Sequence, residues 1–390
     1  MLMNLKYWIG KIHLLLGLSS GLVVFIVAVT GCIYAFQSEI QDLIQPYRYV
    51  DQVGETILPP SEVWKLADEA LPGKHLHGIL YPQIENRAAQ AIYYSFEENY
   101  YYFVYVDQFT GKILKVKDEY ADFFRVVLDG HFYLWLPPEI GQPVVASFTL
   151  VFLVMVITGL ILWWPRRKKG VDKSFKIRWD ARWRRKNYDL HQVLGFYVMI
   201  FALVFALTGL VWGFTWFRDG YYEITTGGKQ FVEYNAPLSD STSVYQGEVP
   251  GIDQVWRKMQ EEYPTAEWIE VHPPDYKHGS YAANANPDAD TYWKMDYRYF
   301  DQYTLEELPV DHIWNRYSNA SFGDKLQRVN YDIHVGAIGG LPGKFLAFCL
   351  SGIIASLPVT GFLIWWGRKK KGRSQNKFSK EKSAQKRIPA

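Results

Sequence analysis

Four stretches of the chain contain no Asp, Glu, Lys or Arg: Leu14–Phe36, Pro143–Trp164, Val193–Trp216 and Phe345–Trp366, each 22–24 residues long. All four reach the roughly 20 apolar residues that a helix needs to cross a hydrocarbon core, and buried helices of soluble proteins are seldom so long and so free of charge. The pattern predicts four membrane-spanning helices. Between them the periodicity changes: Tyr101–Asp107 and Tyr297–Asp301 alternate aromatic and polar positions before a turn, as half-buried strands do. The long segments 37–130 and 217–333 are therefore expected to form two small antiparallel sheet domains.

Charge sets the expected orientation, because short cytoplasmic loops are enriched in Lys and Arg. The segment 165–190 carries eleven cations, among them Arg166, Arg167, Lys168 and Lys169, and the tail after Trp366 carries ten. With both placed inside together with Lys6 and Lys11, the inner side is +19 and the outer side −17, so the formal +2 is a cancellation. The basic stretches read as topology signals in contact with anionic lipid, and nucleic acid is not an expected partner. Cys32 and Cys349, the only cysteines, fall inside spans, which leaves no disulfide framework and no motif for covalent haem attachment. Val29–Cys32 resembles a lipoprotein cleavage box, but its Thr-Gly recurs at Thr208-Gly209 and reads as a feature of the helix.

The spans repeat. His13, Leu16, Gly17, Thr30 and Gly31 match His191, Leu194, Gly195, Thr208 and Gly209 at a constant offset of 178. Thr158-Gly159 followed by Leu160–Trp164 matches Thr360-Gly361 followed by Phe362–Trp366, each ahead of basic residues. More weakly, Asp107-Gln108-Phe109-Thr110-Gly111 matches Asp301-Gln302-Tyr303-Thr304-Leu305. The expected architecture is an α-helical integral membrane protein of four spans, arranged as two parallel helix–domain–helix repeats related by a pseudo-twofold axis along the membrane normal. Its segments are an inner N-terminus with the first span (1–36), an outer domain (37–130), an outer His segment with the second span (131–164), a basic inner loop (165–190), the third span (191–216), a second outer domain (217–333), a second His segment with the fourth span (334–366), and a basic inner tail (367–390).

That symmetry pairs the histidines. His13 with His191 is expected near the inner face, and His131 with His334 near the outer face. Two facing imidazoles at each depth are the axial ligand set of a six-coordinate b-type haem, so two haem b groups are the expected cofactors. Zinc or copper is the rival reading, short of the usual ligand count. Gly within a helix costs about 1 kcal/mol relative to Ala, which asks for a reason. Gly17 and Gly195, one turn past their histidines, are read as making room for a flat macrocycle, with Gly31 and Gly209 serving the outer haem and Gly159 and Gly361 the inner one. Helix packing through small residues is the other reading. Lys11, Arg184, Arg185 and Arg328 are candidate propionate partners. Tyr133, Trp135, Trp293, Trp314 and Tyr317 are candidate walls of a chelate pocket or members of an interfacial aromatic belt. His75, His77, His272, His278 and His312 read as surface or cleft residues, with His75 and His77 a weak metal candidate.

Together these features resemble the PepSY-associated transmembrane family, which includes iron-regulated membrane proteins and di-haem ferrisiderophore reductases of the bacterial inner membrane. The resemblance rests on the His-x-x-x-Gly starts of spans one and three, the Asp-Gln-Phe-Thr-Gly turn and the Gly-Leu-Ile-Leu-Trp-Trp exits. It implies PepSY-like α+β domains in the periplasm and His13, His131, His191 and His334 as the axial ligands. It also implies a haem-dependent oxidoreductase that passes electrons across the inner membrane to a ferric chelate or siderophore, releasing Fe(II) for uptake. Leu305 departs from the pattern, which has Gly at that position of the turn. No flavin or nicotinamide fingerprint occurs, so the expected donor is reduced flavin, a flavoprotein or quinol. Two rival classes remain open: a non-enzymatic regulator of an envelope protease or signalling partner, and a transporter, although no span carries a charge to relay an ion.

Overall fold

The computed structural model describes residues 2–84, 86–165 and 174–385, with side chains described for 5–84, 86–165 and 174–369. The loop cations Arg166 to Lys169 and the tail side chains from Lys370 onward lie outside the described set. In chain order the elements are α1 (Leu2–Tyr34), α2 (Gln37–Ile44), α3 (Pro60–Ala70), β1 (Leu76–Pro82), β2 (Ala89–Ser95), β3 (Tyr100–Val106), β4 (Ile113–Asp118), α4 (Phe123–Tyr133), α5 (Pro138–Trp163), α6 (Trp183–Gly213), α7 (Thr215–Thr226), α8 (Gly251–Glu262), β5 (Trp268–His272), β6 (Ser280–Asn286), β7 (Asp296–Asp301), α9 (Phe322–Arg328), α10 (Asn330–His334) and α11 (Gly340–Gln385). They divide into a helical unit and a sheet unit.

The helical unit holds the four helices long and apolar enough to cross a membrane, within α1, α5, α6 and α11. Val198, Ala202, Leu350 and Ile354 form its buried centre, with Val24, Ala28, Phe152 and Val156 packed around them. Trp163 of α5 stacks on Phe196 of α6 with ring centres 3.8 Å apart. Two devices set where spans begin. After α4, Leu134 and Trp135 take left-handed φ values of 55° and 58°, and Pro138 opens α5. After α10, Gly336 turns the chain with φ 78°, and Pro342 lies in the first turn of α11. Proline suits a first turn because its missing N–H would have no helical partner there.

In the sheet unit the seven strands join in one antiparallel sheet of order β4-β3-β2-β1-β5-β6-β7. Where the sequence suggests two sheets, the halves therefore meet edge to edge. β1 and β5 pair through Ile79↔Val271, Leu80↔Glu270 and Tyr81↔Ile269, which satisfies two edges that would otherwise expose unpaired backbone. Helices α3 and α8 cover one face over a core of Val63, Ala67, Ile79, Tyr93, Val255, Met259 and Val271. Asp253 accepts the Ser61 backbone N–H at 2.8 Å and the Ser61 hydroxyl at 2.6 Å, tying the first turns of the two helices together.

The Asp-x-x-Thr turn survives its substitution. Asp107 accepts the N–H groups of Phe109 and Thr110, and Asp301 accepts those of Tyr303 and Thr304. Leu305 then takes φ 58° where Gly111 takes 75°, so the leucine adopts the backbone that a glycine holds in the first half.

Candidate cofactor-binding site

Three of the four candidate ligands present the same local arrangement. His13 on α1 places Nδ1 2.9 Å from the Thr158 hydroxyl of α5. His191 on α6 places Nδ1 2.9 Å from the Thr360 hydroxyl and 3.1 Å from the Leu357 carbonyl of α11. His131 on α4 places Nδ1 2.9 Å from the Val27 carbonyl and 3.3 Å from the Thr30 hydroxyl of α1. The hydroxyl protons are already committed, since Thr30, Thr158 and Thr360 each donate to the carbonyl four residues back at 2.8–2.9 Å. Each threonine oxygen, like each carbonyl, therefore accepts, and Nδ1–H of each imidazole donates. That tautomer leaves an Nε2 lone pair on all three rings, the arrangement that a metal-ligating histidine uses when its other nitrogen is held by an acceptor.

The glycine after each threonine makes room for the imidazole. A Cβ at Gly31 would stand 3.0 Å from Cε1 of His131, one at Gly361 3.2 Å from Cε1 of His191, and one at Gly159 3.5 Å from Cε1 of His13. Thr-Gly is thus a histidine receptor: the threonine accepts Nδ1–H and the glycine admits the ring edge. A Cβ at Gly17 would stand 2.9 Å from the Met155 side chain of α5, and one at Gly195 3.8 Å from that of Leu357 of α11.

His334 is the last residue of α10 and belongs to the sheet unit. Of the candidate propionate partners, Arg185 pairs with the buried Asp189 at 2.7 Å, and Lys11 lies over the Tyr7 ring. The remaining histidines separate. His312 is buried among Tyr234, Tyr299 and Trp314, which corrects its reading as a surface or cleft residue. His75 pairs with Asp275 at 2.9 Å. His77 and His272 face each other across the β1–β5 seam with ring centres 4.9 Å apart, and His272 lies 3.6 Å from Glu270. No three His, Cys, Asp or Glu among the described residues are arranged to hold a metal ion.

One further signal near the site is legible in the sequence: Arg125-Val126-x-x-Asp129-x-His131 recurs as Arg328-Val329-x-x-Asp332-x-His334. In the second copy Asp332 is fully buried and accepts the backbone N–H groups of Tyr292 at 3.1 Å and Trp293 at 3.0 Å, anchoring a loop of the sheet unit beside α10.

A family model described as PepSY-associated TM region matches residues 11–368. The chain belongs to this family. As a member with four apolar helices of spanning length and an antiparallel sheet unit, it is a multi-pass membrane protein. No curated protein matches it. The matched region of this PepSY-associated protein includes all four candidate ligands and the four Thr-Gly pairs of the spans.

Proposed function

We propose that this protein carries electrons across the bacterial inner membrane and reduces ferric chelates at the periplasmic side, with His13 and His191 holding one haem b and His131 and His334 another. The observation that carries the reading is the threefold recurrence of an imidazole whose Nδ1–H is donated to an acceptor of another helix, the tautomer that keeps a lone pair on Nε2. Bound there, haem would supply one-electron transfer.

The chain's own residues orient and restrict. Thr158, Thr360 and the Val27 carbonyl fix the ring orientations, and Gly31, Gly159 and Gly361 admit the rings close to a neighbouring helix. The spans keep water and charge away, and the sheet unit receives the ferric complex. Reduction there exchanges Fe(III) for Fe(II), which hard oxygen ligands hold less firmly, so the chelate releases it.

The test is a reduced-minus-oxidised visible spectrum of the detergent-purified protein with haem quantified per chain. Two low-spin b-type haems are expected, about one lost in His13→Ala or His191→Ala, the other in His131→Ala or His334→Ala, and ferric reduction abolished with either. Protein that folds with adequate haem supply yet binds none sinks the proposal.

A further inference from the structure

Two buried arginines of the sheet unit are treated differently. Arg298, 1% exposed, is matched by two carboxylates, Glu262 and Glu307, each at 2.6 Å. Arg328, 9% exposed at the end of α9, forms no ion pair among the described residues. It donates to the carbonyls of Met295 and Asn315, and its Nε is buried without a hydrogen-bond partner among the described residues. The acids whose charge reaches it are committed elsewhere: Asp296 accepts the Tyr317 N–H, and Asp324 accepts the Tyr222 hydroxyl and caps α9 through Ser321. A guanidinium removed from water without a contacting anion carries a desolvation cost that an arriving anion would offset.

The surroundings narrow what that anion is. The guanidinium carbon lies 5.4 Å from the ring centre of Tyr297 and 5.5 Å from that of Tyr317. Trp293 meets Tyr317 edge-on with centres 5.5 Å apart. Two ammonium groups flank them, Lys325 4.6 Å over Tyr317 and Lys294 4.9 Å over Trp293. Three cations and three aromatic rings gather in one place, in a segment whose net charge is strongly negative. The Asp332 carboxylate holds the backbone of Tyr292 and Trp293, so the loop carrying one wall is fixed.

We propose that Arg328, Lys325 and Lys294, walled by Tyr297, Tyr317 and Trp293, form a recognition site for the anionic oxygens of a ferric chelate, carboxylate or phenolate in kind. The site selects anionic chelates over neutral hydroxamate ones. It rests on the reading of the protein as a ferric-chelate reductase, and binding is separable from reduction. The same chemistry is offered by a haem propionate, and the experiment distinguishes the two sources.

The measurement is equilibrium dialysis of the full-length, oxidised protein in detergent, without an electron donor, against ferric citrate and against a neutral ferric trihydroxamate. Arg328→Gln is expected to weaken ferric citrate binding by about thirtyfold or more, as loss of one partner of a buried charge pair does, with trihydroxamate binding and the visible spectrum unchanged. Because Arg328→Gln risks misfolding, the double variant K294Q/K325Q is measured beside it. Its substitutions at surface ammonium groups are expected to cost roughly threefold for citrate alone. Unchanged citrate affinity in both variants overturns the proposal, as does an equal fall for both chelates. A changed haem spectrum with unchanged citrate affinity assigns the guanidinium to a propionate and also overturns it. Citrate binding that depends on Arg328 in a protein carrying no haem would uphold the site while sinking the reductase reading.

Discussion

At the scale of single residues, the imidazoles are held with unequal redundancy, and the inequality is testable. His191 donates to both the Leu357 carbonyl and the Thr360 hydroxyl, whereas the acceptor facing His13 is the Thr158 hydroxyl. Thr158→Val is therefore expected to weaken haem retention at the His13 site by about 10–100-fold, the usual cost of losing an outer-shell partner. Thr360→Val should cost less, because a carbonyl remains, and transfer of haem to an apoglobin acceptor measures both. The glycines separate in the same way. A methyl at Gly159 meets His13 at ordinary contact distance, 3.5 Å, so Gly159→Ala is expected to be tolerated or to gain up to about 1 kcal/mol of helix propensity. At Gly31 the distance is 3.0 Å, so Gly31→Ala must push the His131 ring aside, and a shifted or lost outer haem signal checks it. Away from the membrane, the Glu270–His272 pair predicts a pH window. Burial alone would raise Glu270, but the His272 charge and hydrogen bond hold it below its ordinary 4.5; burial would lower His272, but the Glu270 charge and hydrogen bond, helped by the His77 carbonyl, hold it above its ordinary 6.5. The pair then stabilises the fold fully between about pH 4.5 and 6.5, losing the Glu270 share as pH falls below that range and the His272 share as pH rises above it. Thermal melts of the full-length protein should show the alkaline fall, and His272→Gln should flatten it.

At the scale of elements, the four spans were readable from the sequence because a bilayer imposes a length and a charge rule that no soluble context imposes so strictly. The Thr-Gly pairs were visible as a repeat, but not their function: a spacing of 18 residues from His13 to Gly31 places both on one face of α1, and nothing in that spacing says that Gly31 receives His131 from α4. Such a contact is a property of tertiary packing. The turn ending in Gly111 or Leu305 shows the converse, a local signal strong enough to survive a misfit. Asp301 holds two backbone N–H groups and thereby imposes a left-handed φ on Leu305, whose side chain packs partly against the sheet core. Gly111 has no such latitude, because a Cβ there would stand 2.8 Å from Leu66 as well as adopting φ 75°. Gly111→Ala is expected to destabilise by about 1–2 kcal/mol, read as a lowered melting temperature, and a neutral result would mean that the turn relaxes.

At the scale of the whole sheet unit, the joined sheet makes the two halves one folding body, a consequence that the sequence repeat alone did not contain. Each half brings one helix and one strand edge to the junction: β1 meets β5 through the seam, and α3 meets α8 through Ser61 and Asp253. Gly78 is the pivot of that seam. It sits at the irregularity where β1 changes register against β2. A Cβ there would stand 2.6 Å from Nδ1 of His272 and 3.1 Å from the Val271 carbonyl, so a methyl must move either the ring that bonds the His77 carbonyl or the partner strand itself. Asp253 works at the opposite face, where its carboxylate sits in the first turn of α8 and accepts from Ser61 in the first turn of α3, so both helix dipoles favour its charge. Gly78→Ala and Asp253→Ala should therefore each loosen the junction, Asp253→Ala by roughly 2–3 kcal/mol because it strands the part-buried Ser61 donors and removes charge-assisted bonds. If the halves fold as one body, each variant lowers a single melting transition of the full-length protein and exposes protease sites in both halves together. If instead each half is stable alone, the variants would split the melt in two and cleavage would stay confined to the mutated half. The first outcome follows from one continuous hydrophobic core, in which Val63 and Ile79 of one half and Val255 and Val271 of the other are buried together.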